Sequence, residues 1–247
     1  MNRIEIHVSN ISKWFKELRA LDDVSARFYD GQLYGIVGPA GAGKTTLFRI
    51  MLDLMRANAG RIIYYENGRE ISYSKIQEHI AYMPQSQSLY SDLSVAEHLD
   101  FFRNLYGIDD RDFVQKKSEL LHLARLDKFV DRPAGKLSGG MYKKLGLICA
   151  LLRSPQIMFL DEPTNGVDPI SRREFWGLLN DARSRGIMVV MSTAYMDEAE
   201  RCDNVILMER GHILAVGKPD ALLRKYNSHN FDELFLKRGG VDEQNYG

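Results

Sequence analysis

Gly38-Pro39-Ala40-Gly41-Ala42-Gly43-Lys44-Thr45 constrains this chain more than any other stretch, because it follows the pattern G-x-x-x-x-G-K-[S/T] in a defined setting. Before it runs an apolar segment, Leu33 to Val37; after it, Leu47, Ile50, Met51 and Leu54 recur at the i, i+3, i+4, i+7 spacing of one helix face. A buried strand, a glycine loop and a helix are expected in that order. The glycines let backbone N–H groups turn inward, and the helix start adds partial positive charge, so the pair makes a cradle for phosphate. Lys44 is then placed for the β and γ phosphates of a nucleoside triphosphate and the Thr45 hydroxyl for Mg²⁺, with Thr46 closing the stretch. An ordinary glycine turn accounts for neither the lysine nor the threonine directly after the last glycine.

The flanking sequence supplies the rest of an α/β fold. Ile4, Ile6 and Val8 alternate with polar residues and Asp30-Gly31 marks a turn, which predicts antiparallel strands ahead of the buried one. Residues 86–154 lack β-branched runs and read as helices; Ser94 with Glu97 forms a capping box, and Gly107 ends that helix. From Ile157 strands and helices alternate again, with strands at 157–161, 187–192 and 205–208. Asp168-Pro169 opens a helix with Phe175, Leu178, Leu179 and Ala182 on one face, and Val205 to Val216 reads as a hairpin turning at Arg210-Gly211. The pattern predicts a P-loop NTPase core with a mainly parallel sheet, an N-terminal antiparallel β subdomain and an inserted helical subdomain. One domain is expected over 1–218, its core in 1–85 and 155–218 and its insertion at 86–154, followed by a charged helical tail over 219–247.

Two further segments carry chemistry. Ile157 to Leu160 is an apolar strand ending in Asp161-Glu162. A buried strand with a charged, solvated end would look the same, but beside Lys44 the pair suits phosphoryl transfer, which needs positioning and charge stabilisation more than covalent chemistry. Asp161 would hold the Mg²⁺ shell, and Glu162 would orient and polarise the attacking water. Leu137-Ser138-Gly139-Gly140-Met141 precedes a helix with Leu145, Ile148, Cys149 and Leu152 on its apolar face. A serine and two glycines at a helix start make a second anion cradle, although the same residues also make a plain N-cap.

Composition narrows the setting. Of 247 residues 45% are hydrophobic, enough to bury a core, and 33 basic residues balance 33 acidic ones, so no global field steers the chain to nucleic acid and no such partner is expected. MNRIEIHVSN lacks the apolar core of a signal peptide, and the longest apolar run, Leu145 to Leu152, is too short to cross a bilayer. Cys149 and Cys202 fall in helix-like segments without metal or redox spacing, as expected of buried thiols in a reducing cytosol.

Lys44-Thr45, Gln85 within Met83-Pro84-Gln85, Leu137 to Met141, and Leu160-Asp161-Glu162-Pro163 followed by Gly166-Val167-Asp168 resemble the nucleotide-binding subunits of ATP-binding-cassette (ABC) transporters, in that family's order and over nearly the whole chain. The resemblance implies an ATPase that uses ATP and Mg²⁺. Gln85 would contact the metal and the water; Ser138, Gly139 and Gly140 would close on the γ-phosphate held by Lys44 of a second ABC ATPase subunit, copy or not; Asp168 would touch that subunit. Phe15 would stack on adenine, with Trp14 the alternative. Ser138-Gly139-Gly140-Met141, Val167-Asp168-Pro169-Ile170-Ser171-Arg172-Arg173 and Tyr195-Met196-Asp197-Glu198-Ala199-Glu200 resemble bacterial drug and antibiotic exporters. Separate transmembrane permease subunits and a peripheral place on the cytoplasmic face of the inner membrane are therefore implied. Where the family usually has a histidine after Ser-Thr, this chain reads Ser192-Thr193-Ala194-Tyr195. A P-loop kinase or GTPase accounts for neither the Ser138 segment nor Gln85. A soluble ABC ATPase of translation or DNA repair, typically built of paired cassettes or interrupted by long heptad repeats, is the remaining alternative.

Overall fold

The computed structural model describes residues 3–86 and 89–239. Residues up to Glu78 and from Val190 onward form one unit, and His79–Val189 a second. The first unit opens with β1 (Ile4–Phe15) and β2 (Leu18–Tyr29), then β3 (Leu33–Val37), α1 (Lys44–Met51), β4 (Ala59–Glu66), β5 (Arg69–Ile71) and the short α2 (Tyr73–Ile76). The alternation at the amino terminus becomes the buried face of β1, where Ile6 opposes Phe28 and Val8 opposes Ala26 in antiparallel register. β3 is buried along its whole length, as its apolar run requires. The antiparallel sheet is larger than the sequence suggested, with order β2-β1-β4-β5. β4 carries no clean apolar alternation, and its Gly60 takes φ 82 where an added Cβ would lie 2.3 Å from the Asn10 carbonyl oxygen. α1 stops short of expectation: Asp53 turns the backbone to φ 51, and Leu54, predicted on the buried face, is 65% exposed.

The second unit pairs β6 (Ile80–Met83) in parallel with β7 (Ile157–Asp161), Met83 opposite Leu160. Between them come α3 (Val95–Tyr106), α4 (Asp110–Ala124) and α5 (Gly139–Leu151), and after β7 comes α6 (Pro169–Ser184). The capping box forms: Glu97 N–H donates to Ser94 Oγ, and Ser94 N–H donates to the Glu97 carboxylate, which holds that carboxyl below its usual range. Gly107, at φ 63, ends α3 as predicted. α5 buries Leu145, Ile148 and Cys149, and Leu147 besides, with Leu152 buried at its C-cap, so it is enclosed on most sides. Lys144, 3% exposed, is tied to Glu174 of α6 at 2.7 Å, and Arg125 meets the same carboxylate at 2.7 Å from the solvent side. The Lys144 hydrogen bond is the chief reason that the Glu174 carboxyl sits below its usual range.

The chain returns through β8 (Met188–Thr193), whose last four residues belong to the first unit. There β9 (Asn204–Glu209) runs parallel to β3, Val37 opposite Leu207, and antiparallel to β10 (His212–Gly217), so the sheet is mixed and not purely parallel. The hairpin turns at Arg210 and Gly211, both at positive φ, as a two-residue turn between twisted strands requires. α7 (Pro219–Lys225) and α8 (Phe231–Gly239) form the tail and bury Leu222, Phe231 and Leu234; residues 240–247 of the expected tail lie outside the described residues. Cys202 is not helical: it follows a 3-10 turn at Met196–Arg201 in extended backbone. Its thiol, which donates to the Glu198 carbonyl at 3.4 Å, and that of Cys149 are buried and in no disulfide, and burial pushes both well above the usual thiol range. Among the described residues no helix is long and apolar enough to cross a membrane.

Candidate active site

In the first unit the loop from Gly38 to Gly43 joins β3 to α1. Gly38 N–H donates to the Thr193 carbonyl at 3.1 Å, and Ala42 N–H closes a turn on the Pro39 carbonyl at 3.2 Å. Glycine is obligatory at both ends: a Cβ on Gly38 would stand 2.1 Å from the Met208 carbonyl oxygen, and one on Gly43, at φ 101, 2.5 Å from that of Ala20. Gly43 is the N-cap of α1 with no side-chain capping bond, and the first turn holds no acidic residue, an arrangement suited to an anion. Lys44 is 4% exposed and folds back over the loop, donating from Nζ to the carbonyls of Gly38 at 2.8 Å and Pro39 at 2.9 Å. Ala40 and Gly41 are exposed, and Thr45 and Thr46 half-buried. A helix start without a carboxylate, a desolvated ammonium and two hydroxyls together fit a nucleotide's phosphates.

Elsewhere in this unit, Phe15 and Trp14 are 43% and 41% exposed at the end of β1. Adjacent strand positions send them to opposite faces, and Lys13 Nζ lies 5.2 Å from the centre of the Phe15 ring. Ala194 is exposed just past β8, and the following Tyr195 N–H donates to Thr193 Oγ1 at 3.0 Å.

In the second unit Glu162 follows β7 at φ 46, a left-handed conformation uncommon for a residue other than glycine and costly to hold. Its Oε2 accepts from Gln85 Nε2 at 2.9 Å and from Asn165 Nδ2 at 3.4 Å. Two residues singled out for catalysis are thus in direct contact. Asp161 is fully buried at the end of β7. Lys143 Nζ donates to the Gln85 carbonyl at 3.3 Å; burial lowers its pKa, opposed by the charges of Asp161 and Glu162. Neither Asn165 nor Lys143 stands out in the sequence as a functional residue. Asn165 stands three residues beyond Glu162, within reach of a turn, whereas a lysine early in a helix reads as solvent-facing.

Ser138 caps α5, its Oγ accepting from Met141 N–H at 3.3 Å, and both Ser138 and Gly139 are exposed. Gly140 is buried: an added Cβ would lie 2.2 Å from Ser171 Cβ and 3.3 Å from Asp168 Oδ2. Asp168 caps α6, accepting from the N–H groups of Ile170 at 3.1 Å and Ser171 at 2.9 Å, and the Ser171 bond holds its carboxyl below the usual range. The second cradle and Asp168 are therefore packed together through Gly140.

The family model described as "ABC transporter" matches residues 21–165. The Escherichia coli (strain K12) protein "Probable multidrug ABC transporter ATP-binding protein YbhF" is 37% identical over 217 residues, 88% of this chain but 38% of that protein. "Nod factor export ATP-binding protein I" of Rhizobium sp. (strain N33) is 33% identical over 236 residues, covering 95% of this chain and 78% of that one. The solved "ATP binding subunit of ABC transporter" superposes with a TM-score of 0.82 at 27% identity, over 95% of this chain and 99% of its own.

Proposed function

The chain belongs to the ABC transporter family as an ATP-binding domain, and from that premise we propose that it is the ATP-hydrolysing motor of an exporter whose membrane-spanning subunits are separate chains. The hydrolytic reading rests on Glu162: a carboxylate in costly backbone geometry, aimed by Gln85, suits the orientation of an attacking water. Gly38 to Thr46 wrap the phosphates, and Lys44 turns from its loop carbonyls to the γ-phosphate. Thr45, Asp161 and Gln85 would offer the oxygen ligands that Mg²⁺ prefers, and the ion they hold would supply charge neutralisation for the transferring phosphoryl group. Phe15, or Trp14, stacks on adenine.

Ser138 and Gly139 face outward, which supports a role towards a nucleotide held by a second cassette, with Asp168 beside them. The cassette occupies 1–218, with its helical insertion at 86–154 and a tail after 218. The permease docks on that insertion, where Tyr90 is 57% exposed, at the cytoplasmic membrane face. The names of the relatives, multidrug transport and Nod factor export, favour the outward direction. Blocking hydrolysis with Glu162→Gln should trap an MgATP-dependent dimer in light scattering, and Ser138→Arg added to it should prevent closure. A strictly monomeric Glu162→Gln protein in saturating MgATP, both alone and with its membrane subunits, would sink the proposal.

A further inference from the structure

Tyr142 and Lys143 are consecutive residues in the first turns of α5, and both reach back to the backbone around Gln85. Tyr142 is 8% exposed; its Oη accepts from Leu89 N–H at 2.8 Å and donates to the Leu89 carbonyl at 3.4 Å. Lys143 Nζ donates to the Gln85 carbonyl at 3.3 Å. The side chain of Gln85 in turn donates to Glu162 at 2.9 Å. One residue further on, Tyr90 N–H donates to His98 Nε2 at 3.0 Å, and His98 Nδ1 faces the Ser94 carbonyl at 2.9 Å, so α3 fixes that position independently.

We propose that Tyr142 and Lys143 are positioning residues that fasten Leu89 and Gln85 to α5, so that the helix capped by Ser138 sets where the Gln85 amide holds Glu162. The inference rests on the reading of Glu162 as the water-orienting residue. Residue chemistry favours it. A buried tyrosine hydroxyl must find partners, and phenylalanine would fill the same space without them. A lysine ammonium withdrawn from water gains from a carbonyl acceptor through a charge-assisted bond, with Asp161 and Glu162 adding attraction. Movement at the Ser138 end of α5 would thus reach the Gln85–Glu162 bond through two backbone attachments rather than through packing alone.

Two readouts test it. Hydrogen exchange on the full chain without nucleotide should show the Leu89 amide exchanging roughly fivefold faster in Tyr142→Phe, as expected for loss of one hydrogen bond, with β7 amides unchanged. In the assembled transporter, Lys143→Ala should lower kcat about tenfold while KM for ATP stays within about twofold, and Lys143→Arg should restore most of the rate. Unchanged Leu89 exchange in Tyr142→Phe would overturn the proposal. So would an unchanged kcat in Lys143→Ala, or a KM that rises as kcat falls. If Tyr142→Phe does not fold, the half-buried Lys143 supplies the deciding variant. An inactive parent transporter would count against the hydrolytic reading alone, because the exchange readout needs no turnover.

Discussion

Gly139 and Gly140 are neighbours that the sequence presents as one anion cradle, yet their surroundings differ. A methyl on Gly139 would meet only the Gly166 carbonyl oxygen, at an ordinary 3.6 Å, whereas on Gly140 it would run into Ser171. Gly140→Ala should therefore cost about 1–3 kcal/mol of stability and Gly139→Ala well under 1, measured by denaturant unfolding. The reverse order would refute the packing account. Ala194 poses the opposite case, a missing group where the family usually keeps a histidine. Its side chain is exposed, so an imidazole has room. Losing one preorganised donor typically costs on the order of 10²–10³ in rate, so Ala194→His should raise the ATPase rate of the assembled transporter markedly while barely changing ATP affinity. A change within about twofold, less than ~0.5 kcal/mol of barrier, would mean that Ala194 is no handicap. Residue types were legible in the sequence at all these positions. What each touches was not, because backbone placement alone separates a glycine that faces outward from one pressed against α6.

At the scale of elements, caps and turns were the reliable signals. Ser94, Gly107, Asp168 and Arg210-Gly211 each have a local physical role that needs no tertiary context, and each appears in the structure as read. β4 escaped because its strand character comes from pairing with β1, and the end of α1 because Asp53 is not a residue that announces a left-handed turn. The α5–α6 ion pair was equally invisible, since Lys144 and Glu174 lie 30 residues apart. Glu174→Gln would leave Lys144 buried without its carboxylate and should lower stability at neutral pH by about 2–3 kcal/mol. The sign with pH follows from the lowered Glu174 carboxyl: its contribution is full above the ordinary glutamate range, near pH 4.3, and is lost as pH falls through the lower folded value. Urea titrations should show the gap between parent and variant narrowing as pH falls below the ordinary glutamate range; a gap that stays constant to the acid end of the titration would contradict the pairing.

For the whole molecule, the strand–loop–helix around Lys44 points to the core of the fold and to a nucleotide as ligand, because few backbone arrangements accommodate its glycines and its lysine together. Less legible was the way in which that lysine waits: nearly enclosed, with its ammonium on the carbonyls of Gly38 and Pro39. On binding, this ammonium would exchange those carbonyls for phosphate oxygens, which would make Lys44 a cationic anchor of the nucleotide. Isothermal calorimetry of MgATP binding to the parent chain and to Lys44→Ala is the most direct test. The account predicts measurable binding by the parent and its loss in the variant, with both folded by circular dichroism. Equal affinity in the two proteins would contradict it.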